Sequence, residues 1–304
     1  MPGGNVVRVA QPRQRIAGAN REPSPRAARV IAALTTAGAL ALTFGSPDAS
    51  AESFPPDGPT ASAARANAPS AKVTVPPAVT QGDRFTVHVT VKHRAQVRRV
   101  HVQQRVANVY GDWSWLTVKK LRVRSGAGVD YQAVAGETDR ETYRALLQPK
   151  SGKPVASRPA SVEVWHWYPL SDFDSYYSTG GVVDATYGQF TMNGSAYIGS
   201  WYTYGTSRSW ESRYTLGRRC RTMRGTFGVT DKSADGSSAT IQVLAEGVDV
   251  VYASSPLAPG VVDTPLVPLA TPYRISVIGT NTSPDGVAAY PAAGDLQFLC
   301  HGFE

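Results

Sequence analysis

The chain has 304 residues, 42% hydrophobic and 18% charged, with 28 Gly, 22 Pro and a formal net charge of +8. This is globular composition at a length that accommodates two ordinary domains. Scarce helical periodicity argues against an α/β enzyme fold. After residue 44 no apolar stretch reaches the length of a membrane-spanning helix, which excludes a bundle of several such helices.

Residues 1–29 carry six arginines and one acid, Glu22. Residues 30–44 are uncharged, and Ala49-Ser50-Ala51 is a small-x-small cleavage pattern. A basic segment, a short apolar segment and such a site predict a secretory signal peptide over 1–51. The alternative is an uncleaved membrane anchor, the one route by which a membrane becomes a partner. The long Arg-rich leader resembles those of exported proteins of high-GC Gram-positive bacteria. Residues 52–71, rich in Ala, Pro and Ser, bury too little apolar surface to offset chain entropy, so they read as a disordered linker.

Charge divides the remainder. Residues 72–165 hold sixteen Lys/Arg against seven Asp/Glu, a net of +9; residues 166–304 hold eight against twelve, a net of −4. A basic exported half can sit on anionic polymer or lipid headgroups, or its cations can simply solvate outward strand faces. No nucleic-acid-binding motif is present, so nucleic acid is not an expected partner.

From residue 83 to 91, Phe85, Val87, Val89 and Val91 alternate with Thr86, His88 and Thr90, the period of a half-buried strand. Further short runs at 72–75, 100–105, 113–119, 129–134, 141–148 and 161–167 bring the total to seven in residues 72–165. Strands at this spacing predict an antiparallel two-sheet sandwich. Val100 to Arg105, the Gly111-Asp112-Trp113 turn, Tyr143-Arg144-Ala145 and Ser157-Arg158-Pro159 resemble bacterial immunoglobulin-like or fibronectin-III-like modules. That resemblance implies a spacer or presenting role. His88, His93 and His101 read as surface histidines, with no carboxylate at ligand spacing and no metal expected.

Residues 166–304 show the same alternation. Ala239, Ile241, Val243 and Ala245 share one parity, and so do Tyr273, Ile275 and Val277. The motifs run Leu170-Ser171-Asp172-Phe173, Phe190-Thr191-Met192-Asn193-Gly194-Ser195-Ala196-Tyr197, Tyr214-Thr215-Leu216, Met223 to Asp231 and Glu246-Gly247-Val248-Asp249. In order and spacing this half resembles the NPCBM family of carbohydrate-binding modules, which implies a jelly-roll-like sandwich. The expected fold class is therefore all-β, two antiparallel β-sandwiches in tandem. Sugar-binding members of that family carry a Gly-Leu-Gly-x-His segment after the Asn-Gly turn. Here the stretch reads Ile198-Gly199-Ser200-Trp201-Tyr202-Thr203-Tyr204, without histidine.

The only two cysteines are Cys220 and Cys300. Export favours a disulfide between them, two separate buried thiols being the alternative. No Gly-x-Ser-x-Gly elbow, His-Glu-x-x-His pair or phosphate loop is present, and no cofactor is implied. His166 and His301 have no oriented acid in the sequence to build a triad. Asp231 to Gly236 imitates the start of a calcium loop, but its twelfth position is Gln242; a tight Asp/Gly hairpin is the better reading.

Sugar binding needs flat aromatic faces and a few polar groups. The candidate residues are Trp201, Tyr202, Tyr204, Trp210, Tyr176, Tyr177 and Tyr187, with burial in a sandwich core as the alternative for each. The expected function is a secreted, non-catalytic envelope protein that binds glycan or cell-wall polysaccharide. The alternatives are an extracellular scaffold without a glycan ligand and a hydrolase of unrecognised type.

Overall fold

A computed structural model describes residues 68–123, 128–183 and 188–302. The expected leader, and the linker up to residue 67, lie outside the described residues. Among these no helix is long and apolar enough to cross a membrane. The chain is all-β. Its first nine strands are β1 (Ser70–Thr74), β2 (Ala78–Thr80), β3 (Arg84–Lys92), β4 (Val97–Ala107), β5 (Trp113–Leu121), β6 (Gly128–Val134), β7 (Arg140–Pro149), β8 (Val155–Ala156) and β9 (Ala160–Pro169). Then follow β10 (Ser175–Ser178), β11 (Val182–Val183), β12 (Gln189–Met192), β13 (Ser195–Ile198), β14 (Trp201–Thr203) and β15 (Ser209–Thr215). The last six are β16 (Cys220–Val229), β17 (Ala239–Ala245), β18 (Asp249–Ala253), β19 (Leu266–Pro268), β20 (Arg274–Asn281) and β21 (Pro291–Cys300).

The first half folds as the alternation dictates. Phe85, Val87, Val89 and Val91 of β3 face inward, and Tyr143, Ala145 and Leu147 of β7 meet them from the facing sheet. One sheet is β1-β3-β6; the other runs β9-β7-β4-β5, with β2 parallel to β9. Each fully buried Val, Leu or Phe contributes about 1.5–3 kcal/mol from removal of apolar area. Glu141 is the inward exception. Its carboxylate accepts from Tyr143 Oη at 2.5 Å and from the Gly136 N–H at 2.6 Å, and burial together with that carboxylate pushes the Tyr143 phenol up. His88 does have a carboxylate beside it: its Nδ1 lies 2.5 Å from Asp130 Oδ1 across β3 and β6.

The second half encloses a separate core. The sheet β10-β15-β20-β17-β18 faces β14, β21, β16 and β19, and between them lie Tyr214, Phe227, Ile241, Val277 and Phe298. Asn193 and Gly194, both at positive φ, turn β12 into β13, as a tight hairpin requires. The Asp231–Gly236 turn is not a hairpin. It carries the chain from β16 in one sheet to β17 in the other, because β16 pairs with β19 and β21 while β17 pairs with β18 and β20. The Asp231 carboxylate accepts from the Gly194 N–H and ties the two turns together.

β9 belongs to both halves. Ala160–Glu163 pairs with β7, and His166–Pro169 pairs with β21. The expected boundary at 165/166 thus falls inside one strand. His166 Nδ1 lies 3.1 Å from Gln81 Oε1, and its Nε2 lies 3.5 Å from Asp139 Oδ1, beyond good hydrogen-bond length. His301 Nε2 is 3.1 Å from the Asp139 carbonyl, so the end of β21 meets the residue before β7.

Candidate functional site

A hollow of about 480 Å³ opens in the second half. One wall is built by β12, which supplies Gln189, Phe190 and Thr191, and by β14, which supplies Tyr202 and Thr203. Tyr204 follows directly, Val183 comes from β11, and Thr230, Lys232 and Tyr290 close the remaining side. Phe190 is buried, and its ring centroid stands 5.3 Å from Tyr202 and 5.4 Å from Tyr197, the latter stacked. Tyr204 is exposed and Tyr202 half-buried, so aromatic surface borders the opening.

Local structure holds these rings. In β14 the odd residues Trp201 and Thr203 point into the core and Tyr202 points to the opposite side. The Trp210 Nε1–H donates to the Tyr204 carbonyl at 3.2 Å, and the Tyr204 N–H donates to the Gly181 carbonyl at 2.7 Å. Gly181 has φ +86, and a Cβ there would stand 2.5 Å from the Tyr204 carbonyl oxygen, so the close approach requires glycine. The polar complement is Gln189, Thr191, the Lys232 ammonium and the Thr230 hydroxyl. Thr230 is only 3% exposed and its Oγ1 has no hydrogen-bond partner. A buried hydroxyl left without a partner costs about 1–3 kcal/mol.

Two of the expected site residues, Tyr202 and Tyr204, come together here. Trp201 and Trp210 are corrections. Both are fully buried, and Trp201 donates its Nε1–H to Ser212 Oγ at 3.0 Å. The Gly/Ser/Thr-rich sequence around Trp201 suggested an exposed loop, whereas the alternation of a short strand puts its indole in the core. Tyr176 and Tyr177 are exposed on β10, an edge of the other sheet, with Arg213 4.5 Å over the Tyr177 ring. Tyr187 lies outside the described residues. Sequence reasoning missed Phe190, Gln189, Thr191, Thr230, Lys232 and Tyr290 as wall residues. Of these, Phe190 and Thr191 stand in the Phe-Thr-Met-Asn-Gly motif, whose only signal was a turn; Tyr290 carried none.

The two cysteines form a disulfide between opposed positions of β16 and β21. Among the described residues no group of three or more His, Cys, Asp or Glu is placed to hold a metal ion.

No family profile and no curated protein matches the chain. Solved structures do. One comprises the CBM51-2 and INT domains of ZmpB from Clostridium perfringens, in complex with GlcNAc; identity is 14%, the TM-score 0.36, and the match covers 56% of this chain and 39% of that one. The chain therefore spans well under two thirds of that structure. A second is the CBM51 of Clostridium perfringens GH95 in complex with methyl-galactose, at 16% identity and TM-score 0.36, covering 43% of this chain and 99% of that one. A third is a CBM29-2 mutant complexed with cellulohexaose, at 11% identity and TM-score 0.26, covering 44% of this chain and 89% of that one. The solved structures named here, to which the chain is similar, are carbohydrate-binding modules.

Proposed function

We propose that this is an exported, non-catalytic envelope protein whose second half, an NPCBM-like module, binds a neutral sugar or the end of a glycan chain in the Tyr202 hollow. The observation that carries the reading is the hollow itself. Ring faces suit the C–H surfaces of a pyranose, and the buried, unpartnered Thr230 hydroxyl beside Gln189 and Lys232 suits its hydroxyls. The immunoglobulin-like first half then serves as a stiff mount. A single shallow site of this size binds weakly, in the range of about micromolar to millimolar, because sugar hydroxyls must be desolvated.

Isothermal titration against a panel headed by GlcNAc and methyl-galactose tests this. Tyr202→Ala abolishes binding. Thr230→Val also weakens it while leaving the protein as stable or about 1 kcal/mol more stable, since an unpaired buried hydroxyl is removed. Silence of the wild type on every glycan would return the protein to the scaffold reading.

A further inference from the structure

Four of the six tryptophans lie away from the second core, and each carries an arginine. The Arg105 guanidinium stands 5.0 Å over the Trp113 ring and Arg144 4.1 Å over Trp115. Arg221 stands 4.1 Å over Trp165 and Arg224 4.1 Å over Trp167. A chain of contacts puts the first pairs and β9 on one face. Thr117, two residues from Trp115, accepts from Gln103 at 3.3 Å; Gln103 accepts from Arg144 Nε at 2.8 Å; Thr142, two residues from Arg144, bonds Ser161 of β9 at 2.9 Å. Trp165 and Trp167 follow Ser161 at even spacing, so they continue that face into the second half. The strand shared by the two halves therefore makes one outer surface from two sandwiches.

Two of these guanidiniums are set rather than floating. Arg144 is gripped by Trp115 and Gln103, and Arg224 by Trp167 and by Gln297, whose Oε1 accepts from its Nε at 2.9 Å and from its Nη2 at 2.7 Å. Among the described residues none of the four arginines is ion-paired to a carboxylate. Two hollows lie beside the second-half pairs. One, of about 380 Å³, is lined by Trp165, Arg218 and Arg219; another, of about 460 Å³, by Arg224, Thr226 and Gln297. Glu163, which shares the alternation of β9, and Asp295, which lines the second of these hollows, are the carboxylates that any bound anion must avoid.

We propose that this face binds an extended, carboxylate-bearing polysaccharide. A held guanidinium offers its free N–H edge as a planar fork that matches a carboxylate, and the stacking lowers the entropy lost on binding. One face of each ring already carries a guanidinium, which leaves nucleobases less open platform to stack on. An open sheet face, rather than a cleft, suits a long chain lying across it. The choice of a glycan over other polyanions rests on the sugar reading of the Tyr202 hollow; the anion site itself does not.

The test uses the full chain and polygalacturonate, with its fully methyl-esterified form as the uncharged control, measured by titration at low and moderate salt. The wild type binds the acid and not the ester. The double variant Arg144→Lys/Arg224→Lys keeps the net charge and binds about tenfold more weakly, because the fork and the stacking are lost. Arg105→Lys, at the more exposed Trp113, weakens binding in the same direction without touching either core. Equal binding by the lysine variants would show that net charge alone attracts the polymer and would overturn the proposal. So would equal affinity for single-stranded DNA or polyglutamate. Tyr202→Ala leaves polygalacturonate binding intact. A wild type silent on neutral sugars that still needs Arg144 and Arg224 for polygalacturonate would defeat the hollow and uphold the face.

Discussion

Trp201 and Tyr202 are adjacent, yet they do opposite work. The Trp201 indole fills the second core and bonds Ser212, so Trp201→Ala leaves a large cavity and costs about 3–5 kcal/mol. On the proposed function, Trp201→Phe should cost less and keep sugar binding, whereas Tyr202→Ala should remove binding at a smaller cost in melting temperature than Trp201→Ala, since its ring is only half-buried against Phe190. Thermal melts beside titrations separate the two, and a Trp201→Ala protein that stays fully stable would contradict the buried placement. Glu211 shows a smaller residue-scale effect. Arg213 Nε and Nη2 donate to its two carboxylate oxygens at 2.7 and 3.0 Å and hold it below its ordinary value, against partial desolvation. A carboxyl depressed in the fold adds stability above its unfolded value of 4.5 and loses it as pH falls through the folded value. Glu211→Gln should therefore flatten the decline in melting temperature below about pH 4.5. An unchanged acid slope would show that the pair contributes nothing.

Elements were legible where one face is wet and one is dry. β3 and β17 alternate cleanly because each lies on a sandwich with solvent on its other side, and the alternation alone located them. β14 was not legible. Three residues, Trp201–Thr203, are too short for a period to emerge, and the surrounding Gly, Ser and Thr imitate a loop. The site inherits that difficulty. Its wall joins β12, β14 and the segments after β16 and before β21, which are far apart in sequence. A single tyrosine cluster revealed only the part contributed by β14. The cysteines were easier, since a count of two allows a single pairing and the expected export favours its formation. Cys220 and Cys300 face each other across β16 and β21 and close a loop with a sequence separation of 80. Chain entropy values such a bond at about 4–5 kcal/mol, and native disulfides typically contribute about 2–5 kcal/mol. Reduction, or the Cys220→Ala/Cys300→Ala pair, should lower unfolding free energy by an amount in that range. A denaturant midpoint that does not move on reduction would exclude a stabilising role.

At the scale of the whole molecule, two cores share one strand. Val162 and Val164 of β9 are buried in the first core, while the paired segment His166–Pro169 holds β21, whose Phe298 and Leu296 are buried in the second. Independent cores on a flexible linker would melt separately. Here unfolding of the second half strips β21 from β9 and exposes His166, which lies beside Gln81 and Asp139 of the first half. Each half therefore depends on the other for part of its hydrogen bonding, and calorimetry should show one coupled transition. Inserting Gly-Gly-Ser between Val164 and Trp165 breaks the strand without removing a core side chain, so that variant should melt in two steps. The insertion also divides the outer surface. It separates Trp165 and Trp167 from Trp115 and Arg144, so affinity for a long polyanion should fall while neutral-sugar binding at Tyr202 persists. Two transitions in the uninterrupted protein would show that β9 links the halves without coupling them.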